Sequence, residues 1–225
     1  MTTLTTRRFD SRAALDSALV ERLERALTSV APSALMLSGG TTPLPAYRTL
    51  AARSRPPASG LHILFSDERY VPSDSPASNY HQSRALLDAL ALPPPRLLRV
   101  RTELPLEEAA RDYERQLTAL LADVGGIALG LLGLGSEGHT ASLFSGADLE
   151  RARGHLAIAV QRPDGMSAVS VTPTLIAHVA EPLFVVAGPG KHAAIEALIA
   201  RDDTLTAWRA VQGCASVSLW VHEGE

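Results

Sequence analysis

The chain is predicted to fold as an α/β protein, a mostly parallel sheet covered by helices on both faces. Two observations predict this. Short apolar runs alternate with stretches of helical periodicity, the pattern of successive strand–helix units. Several runs are continuously apolar, as strands buried on both faces are. Polar or glycine-rich clusters follow the runs at residues 38–42, 67–69, 135–139 and 188–191. Ligands in such sheets bind beyond the carboxyl ends of the strands.

Each element follows from its local pattern. Residues 11–30 carry apolar positions at helical spacing, with charges between them. Ser33–Leu37 is a short strand ending at Ser38-Gly39-Gly40. Thr42–Arg53 is helical, with Pro43 tolerated in the first turn. Residues 54–60 form a Pro/Ser/Gly loop. Leu61–Phe65 is a strand ending at Ser66-Asp67-Glu68-Arg69. Ser78–Leu90 is a helix, which Leu92–Pro95 breaks. Leu97–Val100 is a short strand. Pro105–Asp123 has strong helical periodicity and first-turn acids that suit the helix dipole. Ile127–Leu132, His155–Val160, Ala168–Val171 and Leu183–Val186 are strands. Pro189–Ala200 is a helix and Ser216–Val221 the last strand. No linker, composition break or repeat divides the chain, so residues 1–225 are expected to form one domain.

Composition narrows the function. Hydrophobic residues make up 46% and charged residues 20%, ordinary for a soluble globular protein. A net charge of −3 argues against a nucleic-acid surface. Any anion site is therefore local, built from a few Arg and Lys residues. The single cysteine, Cys214, permits no internal disulfide, fits a reducing compartment and is read as structural. No apolar run reaches membrane-spanning length, and Met1–Asp10 lacks the apolar segment of a secretory signal. A cytoplasmic protein with no membrane or nucleic-acid partner is expected.

The most informative stretch is residues 130–142. Gly133, Gly135 and Gly138 satisfy G-x-G-x-x-G after an apolar strand. A dinucleotide site would also want an acid about 20 residues on, closing a second strand. The strand there ends in Gln161, Arg162 and Pro163, and Glu137 inside the turn would repel a pyrophosphate. The alternative is acid–base chemistry: His139 as a general base, with Glu137 orienting the ring or raising its basicity. A capping histidine without chemistry is the bland alternative.

Three other clusters complete a candidate site. In Ser38–Pro43 a glycine turn runs into a helix. The backbone of Gly39, Gly40, Thr41 and Thr42, with the threonine hydroxyls, suits a phosphate. It is not a Walker A loop, because no Gly-Lys-Ser/Thr follows. Alone it reads as a threonine-capped turn; convergence with the other clusters favours phosphate. Arg69 can grip a phosphate or carboxylate with two parallel bonds. Asp67 beside it can orient a sugar hydroxyl or hold the arginine, against the alternative of a surface ion pair. Lys191 follows a glycine turn near a helix start, where a phosphate-binding lysine competes with a merely solvated one. G-x-S-x-G, H-E-x-x-H and paired Cys-x-x-Cys are absent, so neither a serine-hydrolase triad nor a metal site is read. His81 follows Asn79-Tyr80 and is assigned no role.

Together these motifs resemble the 6-phosphogluconolactonases of the glucosamine-6-phosphate isomerase/6-phosphogluconolactonase superfamily. They are Leu37–Pro43, Asp67–Pro72 with Ser78-Asn79-Tyr80, Gly133–Phe144 and Gly188–Lys191, in family order and spacing. The resemblance runs from about Ser33 to Lys191 and more faintly to the C-terminus. It implies hydrolysis of a sugar-phosphate lactone, 6-phosphoglucono-1,5-lactone, in the pentose phosphate pathway, without a cofactor. It makes His139 the base that activates water, has Arg69 and Lys191 meet the anionic substrate, and has the Ser38–Thr42 loop help hold it. Two departures are visible. Glu137 stands where the family usually has Asp, and Ala168 where it tends to have Arg, with Arg162 a few residues earlier as a spatial substitute. Whether Glu137 or Asp67 is the closer partner of His139 is open.

Glucosamine-6-phosphate deaminases resemble the chain in the same loop and turn. They have Asp-Glu-Tyr where this chain has Asp67-Glu68-Arg69, and Phe-Asn where it has Ser142-Leu143. Both differences favour the lactonase. A sugar-phosphate sensor of a transcriptional regulator would need a helix-turn-helix, for which the residues before Ser33 leave too little room.

Overall fold

A computed structural model describes residues 2–29, 33–53 and 56–224. The end of the helix expected over 11–30 and the start of the loop expected over 54–60 lie outside the described residues, at 30 and 54–55.

Six strands form one fully parallel sheet: β1 (Thr3–Arg8), β2 (Ser33–Leu37), β3 (Leu61–Phe65), β5 (Leu129–Leu132), β8 (Pro182–Ala187) and β9 (Ser216–His222). Their order is β1-β9-β8-β5-β2-β3. Three further strands, β4 (Asp67–Arg69), β6 (Ala157–Gln161) and β7 (Ser167–Val171), form a small antiparallel sheet in the order β4-β7-β6. The helices are α1 (Arg12–Leu27), α2 (Leu44–Arg53), α3 (Asn79–Gln82), α4 (Arg84–Leu90), α5 (Leu106–Val124), α6 (Gly146–Arg151), α7 (Pro173–Ile176), α8 (His192–Ile199) and α9 (Thr206–Val211).

The continuous apolar strands do what such strands must: successive side chains enter opposite cores. Leu35, Leu37, Ile63, Phe65, Leu129 and Leu131 pack with residues of α1, α2 and α4. Ala34, Met36, Leu64, Leu132, Phe184 and Val186 pack with residues of α5, α8 and α9 on the other face. Gly130 of β5 is required by this packing, because a Cβ there would lie 2.9 Å from Met36 Cε and from Val179. Two buried tyrosines tie strand ends to helices. Tyr113 Oη of α5 donates to Phe65 O at 2.6 Å and accepts from Phe65 N at 2.9 Å. Tyr47 Oη of α2 makes the same pair of bonds to Ser38. Burial pushes both phenols above their ordinary range.

Three local expectations need correction, and one strand carries no sequence signal. The polar N-terminus is a strand, β1, paired along its length with β9. Ser78–Leu90 is two helices meeting at Ser83, where α3 ends. Leu97–Val100 is not a strand: Leu97 makes only an isolated bridge to Ile63 after a 3-10 turn at Pro94–Arg96. The expected helix start at Thr42 falls at Leu44, so Thr41–Pro43 form a turn. No helix among the described residues is long and apolar enough to cross a membrane.

Candidate active site

The β5 strand runs into a compact turn. Gly135 N donates to His139 O at 2.9 Å, Gly138 N donates to Gly135 O at 3.0 Å, and Thr140 Oγ1 closes onto Gly133 O at 2.8 Å. From the start of α9, Ala207 N and Thr206 Oγ1 both donate to Gly138 O. The glycines are demanded by space as well as by conformation. A Cβ on Gly135 would meet His139 Nδ1 at 2.0 Å and Glu137 Oε2 at 2.9 Å. Gly138 has φ +90°, and a Cβ there would meet Leu205 at 2.1 Å. The turn opens no helix, the next beginning at Gly146. A dinucleotide would need that helix N-terminus for its pyrophosphate, so the G-x-G-x-x-G pattern serves His139 instead.

His139 is held at one nitrogen. Its Nδ1 lies 2.8 Å from Glu137 Oε1, with the imidazole side chain 21% exposed and the carboxylate side chain 55% exposed. A carboxylate only accepts, so Nδ1 carries the proton and Nε2 keeps its lone pair. So exposed a pair adds little stability; its effect is orientation. Desolvation lowers the His139 pKa and outweighs the Glu137 carboxylate, which raises it. The ring is therefore neutral, and able to accept a proton, at physiological pH. For Glu137, desolvation raises the pKa, but its own backbone N–H, His139 and Ser136 together hold it below the usual range. The Phe144 ring packs on the imidazole at 4.3 Å between centroids.

Beside this turn lies the Ser38–Thr42 loop at the start of α2. Gly40 has φ +86°, a conformation that favours glycine. Tyr47 holds Ser38 at one end, and Arg12 Nη2 donates to Thr42 O at 2.7 Å at the other. The N–H groups of Gly39, Gly40, Thr41 and Thr42 donate to no protein acceptor among the described residues. Four such groups at a helix N-terminus can cradle an anion. Asn79 packs directly on Gly39, where a Cβ would come within 1.9 Å of Oδ1.

The charged run after β3 divides its labour. Asp67 is buried and accepts from Ser142 Oγ at 2.7 Å, Ser66 Oγ at 3.0 Å and Asn79 Nδ2 at 3.2 Å. It lines the pocket but makes no hydrogen bond to His139, so Glu137 is the orienting acid. Glu68 is buried and does not line the pocket. It accepts from Asn79 N at 2.7 Å, Tyr80 N at 2.8 Å, Arg69 N at 2.9 Å and Ser78 Oγ at 3.1 Å, fastening the start of α3. Desolvation raises its pKa against those donors. Arg69 donates from Nη1 to Ala77 O at 2.9 Å, while its buried Nε has no partner among the described residues.

A cavity of about 300 Å³ joins these parts, lined by Gly39, Gly40, Thr41, Thr42, Asp67, Arg69, His139 and Lys191. Every expected site residue except Glu137 lines it, and Glu137 stands behind His139. Lys191 caps α8 after the turn containing Gly188 and Gly190, and its Nζ donates to Leu134 O at 2.9 Å. Asn79 and Arg162 also line the cavity. Asn79 was legible only as part of Ser78-Asn79-Tyr80. Its packing on Gly39, like the Phe144 stack, has no local sequence signal. His81 does not line the cavity. No group of three or more His, Cys, Asp or Glu among the described residues is arranged to hold a metal ion.

Comparison with known proteins gives the family of the chain. Residues 8–220 match the family model described as glucosamine-6-phosphate isomerases/6-phosphogluconolactonase. The chain belongs to this family. The 6-phosphogluconolactonase of Nostoc sp. is 33% identical over 189 residues, 81% of this chain and 78% of the relative. That of Synechocystis sp. is 35% identical over 187 residues, 80% of this chain and 77% of the relative. The 6-phosphogluconolactonase structure from Thermotoga maritima aligns over 100% of both chains, with a TM-score of 0.81 and 27% identity. A monomeric glucosamine-6-phosphate deaminase, at 18% identity and a TM-score of 0.78, shares the fold. Within the glucosamine-6-phosphate isomerase/6-phosphogluconolactonase family, this chain's departures now have places. Glu137 reaches Nδ1 despite its extra methylene, and Ala168 is fully buried in β7 between Arg69 of β4 and Val160 of β6.

Proposed function

We propose that the protein is a 6-phosphogluconolactonase, hydrolysing 6-phosphoglucono-1,5-lactone to 6-phosphogluconate in the pentose phosphate pathway. The observation that carries the reading is a histidine oriented by a carboxylate in a cavity that also holds a glycine loop with N–H groups free among the described residues. His139 takes Glu137 at Nδ1, while the loop at Gly39–Thr42, Arg69 and Lys191 line the same space.

The chemistry fits a lactone. Nε2 of His139 takes a proton from water as its oxygen bonds to the lactone carbonyl carbon. The tetrahedral intermediate then collapses, the bond from that carbon to the ring oxygen breaks, and the imidazolium returns its proton to the ring oxygen. The new carboxylic acid loses its proton to solvent. A lactone is already an activated ester, so no covalent enzyme intermediate and no cofactor are required. Gly39, Gly40, Thr41, Thr42, Arg69 and Lys191 hold the phosphate, and Asp67 orients sugar hydroxyls. We read residues 1–225 as one domain and the protein as cytoplasmic, as its composition and single cysteine suggest.

The test is a comparison of substrates. Purified protein is expected to accelerate loss of 6-phosphoglucono-1,5-lactone over its spontaneous hydrolysis and to release no ammonia from glucosamine 6-phosphate. The opposite pair of results would make it a deaminase.

A further inference from the structure

Arg162 lies in a β-turn that closes the β6–β7 hairpin: its N–H donates to Met166 O at 2.8 Å, and Gly165 N returns to its carbonyl at 3.1 Å. Side chains on such turns usually project into water. The Arg162 side chain is only 13% exposed, and it lines the cavity. Sheet register explains how it gets there. Paired residues in an antiparallel sheet share a face, as do residues two apart on one strand. Arg69 pairs with Ala168, and Ala168 with Val160, so Arg162 projects from the same face as Arg69. Between the two arginines the middle strand offers only the methyl group of Ala168.

The guanidinium is gripped on one edge. Nε lies 3.1 Å and Nη2 2.9 Å from Asp164 Oδ2. Phe144 lies beneath it, with Cζ 5.1 Å from the ring centroid, and Nη1 reaches Ser142 Oγ at 3.4 Å. These bonds use three of the five N–H groups a guanidinium carries, leaving one on each terminal nitrogen without a partner among the described residues. Asp164 is held below the usual carboxylate range first by its bond to Arg162, with Arg69 contributing through its charge. A fixed arginine with terminal N–H groups to spare, in an anion-binding cavity, is built for an oxyanion.

We propose that Arg162 is a substrate-binding residue that takes a phosphate oxygen on the terminal edge of its guanidinium, while Asp164 and Phe144 hold it in place. This rests on the sugar-phosphate reading of the site. It makes the β6–β7 turn, rather than the strand position at Ala168, the source of an arginine for the anion.

The experiment compares wild type, Arg162→Gln and Arg162→Lys on 6-phosphoglucono-1,5-lactone and on unphosphorylated glucono-1,5-lactone, with inorganic phosphate as a competing probe. Arg162→Gln is expected to raise KM for the phosphorylated lactone roughly tenfold, the scale of one charge-assisted contact. The increase should be at least about fivefold larger than on the unphosphorylated lactone, because only the former carries the group contacted. The inhibition constant of inorganic phosphate should rise with it. Arg162→Lys, keeping charge but not the fork, should fall between. A KM within twofold of wild type, or equal losses on both lactones, would overturn the proposal. If wild type hydrolyses neither lactone, the lactonase reading fails by itself. Direct titration with inorganic phosphate then decides, and equal binding by wild type and Arg162→Gln overturns the role of Arg162.

Discussion

The imidazole of His139 occupies the space that a side chain on Gly135 would need, with Nδ1 2.0 Å from the position of a Cβ. Gly135→Ala must push the ring aside or open the turn. A displacement of about 1 Å at a catalytic group costs on the order of 10²-fold in rate. We expect a loss of that size in kcat, with a circular-dichroism spectrum like wild type. Near-normal kcat would show that the ring has room this geometry denies it.

The pH dependence follows from the same pair. Burial lowers the His139 pKa from 6.5, the net result despite Glu137. The base form predominates above the folded-state pKa, so kcat/KM should rise with pH through a midpoint below 6.5 and then level off. Glu137→Gln removes the charge that favours imidazolium, so the midpoint should fall further. It also weakens the hold on Nδ1–H, and kcat should drop roughly tenfold. pH–rate profiles of the two proteins check this; an upward shift in Glu137→Gln contradicts it.

Gly39 and Asn79 should behave as a coupled pair, since a Cβ on Gly39 would lie 1.9 Å from Asn79 Oδ1. Gly39→Ala is expected to raise KM at least tenfold, roughly the 1.4 kcal/mol or more that neighbouring residues share when one displaces another. In the Asn79→Ala background the same change should cost far less. A double-mutant cycle on KM measures the difference, and strict additivity would show that the contact does not shape the loop.

Tyr113→Phe strips the buried backbone of Phe65 of both its phenol bonds. Leaving such groups unsatisfied costs about 1–3 kcal/mol. Urea denaturation should give a loss in that range with an unchanged slope.

Much of this was legible in the sequence because it depends on local chemistry. The parallel core strands are continuous apolar runs, and His139 with Glu137 sits on a turn marked by glycines. What was not legible depends on pairing at a distance. Thr3–Arg8 has a single apolar residue, Leu4, and no clean alternation, and becomes a strand because β9 supplies its hydrogen bonds. Asp67 and Glu68 are adjacent in sequence, yet strand alternation sends them to different partners: the buried Ser142 for one, the start of α3 for the other. The alanine at 168 points to Arg162 as a substitute. Its place beside Arg69 comes from the register of an antiparallel sheet that the strand–helix pattern does not reveal.

The most direct measurement generates 6-phosphoglucono-1,5-lactone in situ with glucose-6-phosphate dehydrogenase and follows its loss with wild type and His139→Ala at equal concentration. Wild type should accelerate hydrolysis well above the spontaneous rate, and His139→Ala should lose about 10²- to 10⁴-fold of that acceleration, the usual contribution of a general base. A folded His139→Ala protein that turns over the lactone at the wild-type rate would contradict the account.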